Sequence, residues 1–132
     1  MPVDYAAAAR ALVGVPFRPQ GRSVTGMDCV GAVLATFAIP DMAVRSNYAM
    51  RGDHAEEIRS TLDRYFRRIS MHQGKPGDLL HLLVSSSRHH FAIKTSDGFV
   101  HAHAGLGKVV ETPGLPEWPV LAVLRRRSRS SR

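Results

Sequence analysis

The apolar residues of this chain change period at one point, Gly74-Lys75-Pro76-Gly77, and that change limits the fold more than any other feature. Before it the spacing is helical. Val3, Ala6, Ala7, Leu12 and Val13 form a stripe closed by Gly14 and Pro16, which predicts a helix over 3–13. The run from Cys29 to Ala38 predicts a second helix, stopped by Ile39-Pro40. Ile58, Leu62, Tyr65, Phe66 and Ile69 predict a third over 54–68, capped by Asp53, while residues 40–53 carry no period. After Gly77 apolar and polar residues alternate. Strands are expected over 78–84, 89–94 and 99–103, with Asp97-Gly98 as a two-residue hairpin turn, and over 108–110 and 119–124. Helices first and strands afterwards make an α+β fold, with N-terminal helices packed on a five-stranded, mostly antiparallel sheet.

A chain of 132 residues, 44% hydrophobic, suits one core, so residues 1–124 are read as a single domain. The net charge of +7 suggests nucleic acid until it is located. Arg125, Arg126, Arg127, Arg129 and Arg132 carry five of those charges; 18 Lys and Arg less those five leaves 13 against 11 Asp and Glu. That balance argues against a basic binding face on the domain. Residues 125–132 are expected to be a disordered Arg/Ser tail, free to meet an anionic partner. The N-terminus lacks a basic region followed by an apolar core, and no apolar run approaches the ~20 residues of a membrane span. Neither export by a signal peptide nor membrane insertion is expected. The one cysteine excludes an internal disulfide.

That cysteine sits in Gly26-Met27-Asp28-Cys29-Val30-Gly31, where a loop rich in turn-formers gives way to the second helix. A sulfur at a helix start meets unpaired amides and the positive end of the macrodipole, which favour thiolate, with Asp28 as the cap. Cys29 is a candidate nucleophile; the alternative is a small buried hydrophobe. Along the strands His90 and Ala92 share one face and His89, Phe91 and Ile93 the other. A turn at Asp97-Gly98 sets His101 opposite Lys94 and His103 opposite Ala92, so that His90, His101 and His103 project from one side. A cysteine nucleophile needs such a set: one imidazole to take the thiol proton and a second polar group to fix its tautomer. Helix amides could then meet a developing oxyanion. Partly exposed histidines without chemistry remain an alternative, as does zinc held by the His-x-His pair with Cys29 or His81, although no CxxC or HExxH accompanies it.

The ordered series Leu12-Val13-Gly14-Val15-Pro16-Phe17-Arg18, Gly26-Met27-Asp28-Cys29-Val30-Gly31, Lys75-Pro76-Gly77-Asp78-Leu79-Leu80, His90-Phe91-Ala92-Ile93 and Phe99-Val100-His101-Ala102 resembles the NlpC-type cell-wall cysteine peptidases. Among these, the short chain looks most like the peptidases of phage tails and gene transfer agents. The resemblance implies a papain-like core with Cys29 as nucleophile, His90 as general base and His101 as the orienting third residue, and no metal or organic cofactor. Peptidoglycan stem peptides would be the substrate, cut at an amide between D-glutamate and a diamino acid, with phage-like tail proteins as partners. The protein would be made in the bacterial cytoplasm and act at the cell wall or periplasm. Phe17, Asp28 and Tyr48 would contact substrate. Phe17 stands where the family has a tyrosine, and Ala92 where it has glycine. A hairpin about one residue shorter than usual leaves His103 a rival third residue and His89 a rival base.

Overall fold

A computed structural model describes residues 3–40 and 52–127. The Asp4 carboxylate accepts the Ala7 amide at 3.0 Å and so starts helix α1, Tyr5–Arg10. This helix is shorter than the predicted 3–13, because the chain leaves it to run beside a later strand: Gly14 N–H donates to Val109 O at 2.9 Å and Val109 N–H to Val15 O at 2.8 Å. The loop that follows contains a small antiparallel hairpin of β1, Arg22–Ser23, and β2, Gly26–Met27. Helix α2, Cys29–Phe37, is capped by Asp28 as expected, Gly31 N–H donating to Oδ1 at 3.0 Å. Helix α3 spans Gly52–Leu62, so Asp53 lies inside it and it ends before the predicted Arg68. No helix among the described residues is long and apolar enough to cross a membrane.

Six strands, one more than expected, form the main sheet. They are β3 (Phe66–Ile69), β4 (Leu79–Leu83), β5 (His89–Lys94), β6 (Gly98–His103), β7 (Lys108–Pro113) and β8 (Val120–Arg126), in spatial order β3-β8-β4-β5-β6-β7 with every pairing antiparallel. The extra strand is β3, cut from what was read as the end of a helix. Phe66 faces the core while Arg67 and Arg68 are exposed, and its partner is β8, Phe66 opposite Arg126 and Ile69 opposite Val123. The same pairing corrects the tail. Arg125 forks onto buried Asp78, Nε to Oδ1 and Nη2 to Oδ2 both at 2.9 Å, and Arg126 Nε donates to Phe37 O at 3.2 Å. Two of the five tail arginines are therefore structural, and residues 128–132 lie outside the described ones.

The β5–β6 hairpin also shifts. Its turn is Ser96-Asp97, closed by Thr95 N–H to Gly98 O at 2.9 Å and Gly98 N–H to Thr95 Oγ1 at 3.0 Å. Lys94 therefore faces Phe99, a displacement of two residues from the predicted register, which leaves every side chain on its predicted face. Gly98 is required for another reason than the turn: a Cβ there would run into the Thr112 carbonyl of β7.

The sheet has two apolar faces. Against the helices lie Leu79, Phe91, Ile93, Val100, Ala102 and Leu124, packed on Ala9, Val30, Val33, Phe37 and Leu62; Phe37 meets Phe66 edge-on at 4.8 Å between ring centroids. The opposite face carries a smaller cluster of Leu80, Leu82, Ala92, Phe99 and Val123, edged by Trp118. His90 and His101 belong to this second face by alternation, and Cys29 to the first.

Candidate active site

Glycine sets the approach of α2 to its loop. A Cβ on Gly31 would collide with the Gly21 carbonyl oxygen, so only glycine lets the first turn of α2 sit this close to the preceding loop. Asp28 completes the joint, its second carboxylate oxygen accepting the Gln20 amide at 2.8 Å. Sulfur is thereby fixed at the helix start, 6% exposed, on the floor of a cleft of about 490 Å³. His90, His101 and His103 line the same cleft, together with Phe17, Asp28 and His89.

Helix α2 packs on the Phe91 face of the sheet and not on the histidine face, and Cys29 shares the cleft with the histidines at the open end of the sheet. There the β5–β6 ladder has ended, since its pairs are Ile93–Val100 and Lys94–Phe99. Lys94 N–H points to β4, donating to Asp78 O at 2.8 Å, so by alternation Phe91 N–H points towards β6. It finds the sulfur instead. Phe91, Val30 and Cys29 itself all direct backbone amides at the thiol, which lower its pKa.

Burial outweighs them. Desolvation, with the neighbouring Asp28 carboxylate, pushes the thiol up to about 12. Burial also takes His90 down to about 3, helped by His101, His103 and Arg88, and His101 down to about 4. Burial therefore favours the neutral thiol and the neutral imidazole, against the thiolate that the helix start alone would favour.

His90 Nε2 lies 2.9 Å from His101 Nδ1, and His101 Nε2 lies 3.0 Å from Thr112 Oγ1. With Nε2 of His90 engaged, its Nδ1 is the nitrogen left for a proton. Of the two rivals, His101 is the one in hydrogen-bond contact with His90. His103 does not reach His90 by hydrogen bond; its Nδ1 accepts the Leu106 amide at 3.1 Å. Trp118 stands edge-on to both rings, 6.0 Å from each centroid, and covers the pair.

Phe17 lines the cleft, as expected of a substrate contact, but Asp28 has each carboxylate oxygen on a backbone amide. Tyr48 lies outside the described residues. His81, weighed as a zinc ligand, is tied up elsewhere: Nδ1 lies 3.2 Å from Arg59 Nη1 and Nε2 lies 2.8 Å from His89 Nδ1. Among the described residues no three His, Cys, Asp or Glu side chains converge as a metal site. Sequence reasoning missed Thr112, the end of the histidine relay, and Trp118, which stands against both rings. A lone threonine beyond the expected strand 108–110 carried no signal; only the longer β7 and its register with β6, His101 opposite Val110, bring it within reach.

No protein-family model matches the chain, and no curated protein matches it significantly. Solved structures do. NlpC1 from Trichomonas vaginalis superposes with a TM-score of 0.68 at 16% identity, over 92% of this chain and 42% of that one. The NlpC/p60 domain of the peptidoglycan hydrolase SagA gives 0.59 at 21%, over 83% and 86%. The fold is NlpC/P60. The peptidoglycan hydrolase RipB from Mycobacterium tuberculosis gives 0.60 at 20% identity, over 93% of this chain and 62% of that one. The chain spans less than half the length of NlpC1 and of its fellow NlpC2, 42% and 45%. What NlpC/P60 similarity establishes is this α+β architecture, a mostly antiparallel sheet with few helices.

Proposed function

We propose that the protein is a cysteine peptidase directed at peptidoglycan. The observation that carries the reading is the shared cleft: the sulfur at the start of α2 and His90 line it together, and His101 holds Nε2 of His90, leaving Nδ1 for the reaction. The two peptidoglycan hydrolases of the same fold add support. Because burial favours the neutral thiol and imidazole, the S–H proton passes to His90 Nδ1 as sulfur attacks the substrate carbonyl, and the carbonyl oxygen takes the negative charge. The amides at the start of α2 lie nearest that charge. As the tetrahedral adduct collapses, the C–N bond breaks and His90 returns the proton to the departing amine. Water then cleaves the thioester, losing its proton to His90 and restoring the thiol. The scissile bond of this reading joins D-glutamate to a diamino acid in a stem peptide, and the enzyme acts at the cell wall as part of a phage tail or gene transfer agent particle.

Incubation with purified sacculi tests it. Soluble muropeptides are expected from the native protein and none from Cys29→Ala; equal release from both would remove Cys29 from the chemistry.

Two observations favour a second reading, a weak or inactive tail-assembly component with the same fold: Phe17 in place of a tyrosine, and the raised thiol pKa. Alkylation by iodoacetamide from acid to alkaline pH separates them. A thiol served by His90 reacts at neutral pH and loses that reactivity in His90→Ala. An unserved thiol reacts only at alkaline pH in both proteins.

A further inference from the structure

The proposed chemistry leaves one buried polar chain unused. His81, 1% exposed in β4, has Arg59 on one ring nitrogen and His89 on the other. Arg59, itself buried, is held by Asp63 through Nε–Oδ1 at 3.1 Å. A guanidinium has only donors, so His81 Nδ1 must accept and His81 Nε2 must carry the proton. His81 Nε2–H then donates to His89 Nδ1, which leaves His89 with its proton on Nε2. That nitrogen has no hydrogen-bond partner among the described residues, and His89 is half-buried and lines the cleft. Asp63, Arg59 and His81 together thus present His89 to the cleft as a fixed N–H donor, which rules it out as the rival base.

The neighbouring groups have the same polarity. The β4–β5 turn is closed by Val84 N–H to Arg88 O at 2.8 Å, and the exposed Arg88 lines the same cleft, its charge acting on His90. Across the cleft His103, its Nδ1 taken by the Leu106 amide, also keeps its proton on Nε2. The Asp28 carboxylate is already engaged by two backbone amides. Apart from His90 Nδ1, the acceptor of the proposed reaction, these histidine and arginine groups offer donors.

We infer that Arg88 and His89 form a subsite for a substrate carboxylate, with Asp63, Arg59 and His81 as positioning residues that hold His89 as a donor. That the carboxylate belongs to a stem peptide rests on the peptidase reading; that the wall binds a carboxylate does not.

The test uses Cys29→Ala protein, so that nothing is cut, and titration calorimetry with a soluble stem peptide of D-glutamate and a diamino acid. One form has free carboxylates and the other has them amidated. The free form is expected to bind at least tenfold more tightly. His89→Phe should weaken the free form about tenfold and leave the amidated form unmoved, while His89→Gln, which keeps an N–H donor, restores most of the loss. Arg88→Met should weaken the free form about threefold, less because Arg88 is exposed. Equal binding of the two forms, no binding of the free form, or equal loss of both in His89→Phe overturns the inference. Sacculus digestion with the native protein separates the two claims. Cutting without carboxylate discrimination leaves the peptidase and removes the subsite, and discrimination without Cys29-dependent cutting does the reverse.

Discussion

Two histidine pairs reach the same cleft from adjacent positions of β5, and they end differently. His90 leads through His101 to the Thr112 hydroxyl; His89 leads through His81 to the Arg59 guanidinium. A hydroxyl both donates and accepts, so Thr112 imposes no polarity on the first chain. A guanidinium only donates, so the second has one polarity. The anchor at the far end decides whether a cleft imidazole suits proton transfer or fixed recognition, although the two ring–ring contacts are 2.9 and 2.8 Å.

Breaking the first chain at its cleft end should have the largest effect. His90→Ala is expected to lower muropeptide release from sacculi by about 10³-fold or more, as loss of a base serving a covalent nucleophile does. A fall below tenfold would mean that the chain ends do not divide the labour in this way. In the second chain Arg59→Met leaves His81 Nδ1 buried without its donor and Asp63 without its cation. Urea unfolding should show a loss of about 2–4 kcal/mol, and a loss under ~0.5 kcal/mol would mean that the guanidinium does not hold the ring.

Acid should strain both chains together. Burial keeps His81 near 4, His90 near 3 and His101 near 4, all below the ordinary 6.5. Below pH 6.5 the unfolded chain takes up protons that the folded chain refuses. Stability is full above that pH and falls as the pH drops towards 4, by at most ~1.4 kcal/mol per pH unit for each histidine. Urea midpoints at neutral and mildly acid pH measure the slope, and His81→Phe and His101→Phe should each reduce it by about one proton. The smallest change is expected from Thr112→Val, which keeps the shape and removes the hydroxyl anchor. Turnover should fall about three- to tenfold with the fold intact by circular dichroism, and an unchanged rate would detach Thr112 from the relay.

Most of this division was legible only up to the residues that bear it locally. Cys29 at a helix start and His90 beside His101 on a hairpin follow from spacing and alternation, and they survive a two-residue error in register because side chains alternate with period two. The error itself came from Gly98, whose small size answers to the β7 backbone and not to the turn. Strand β3 was hidden because Tyr65, Phe66 and Ile69 continue the helical spacing of Ile58 and Leu62. What decides the matter is pairing with β8, more than fifty residues away. Arg125 looked like tail charge for the same reason: its partner, Asp78, is distant in sequence. Helix-end electrostatics, which favour thiolate, can be read from a motif, whereas the burial that raises the thiol pKa cannot.

The position of β8 bears on how this molecule is made. Strand β3 has β8 as its sheet partner, and β4 relies on it along one whole side, yet β8 emerges after the other described strands of this sheet during synthesis. Until Val120–Arg126 inserts, β3 and β4 both present open backbone to any other strand nearby, so a shortened chain ending before Val120 should clump rather than fold, and closure of the sheet should be a late, slow event.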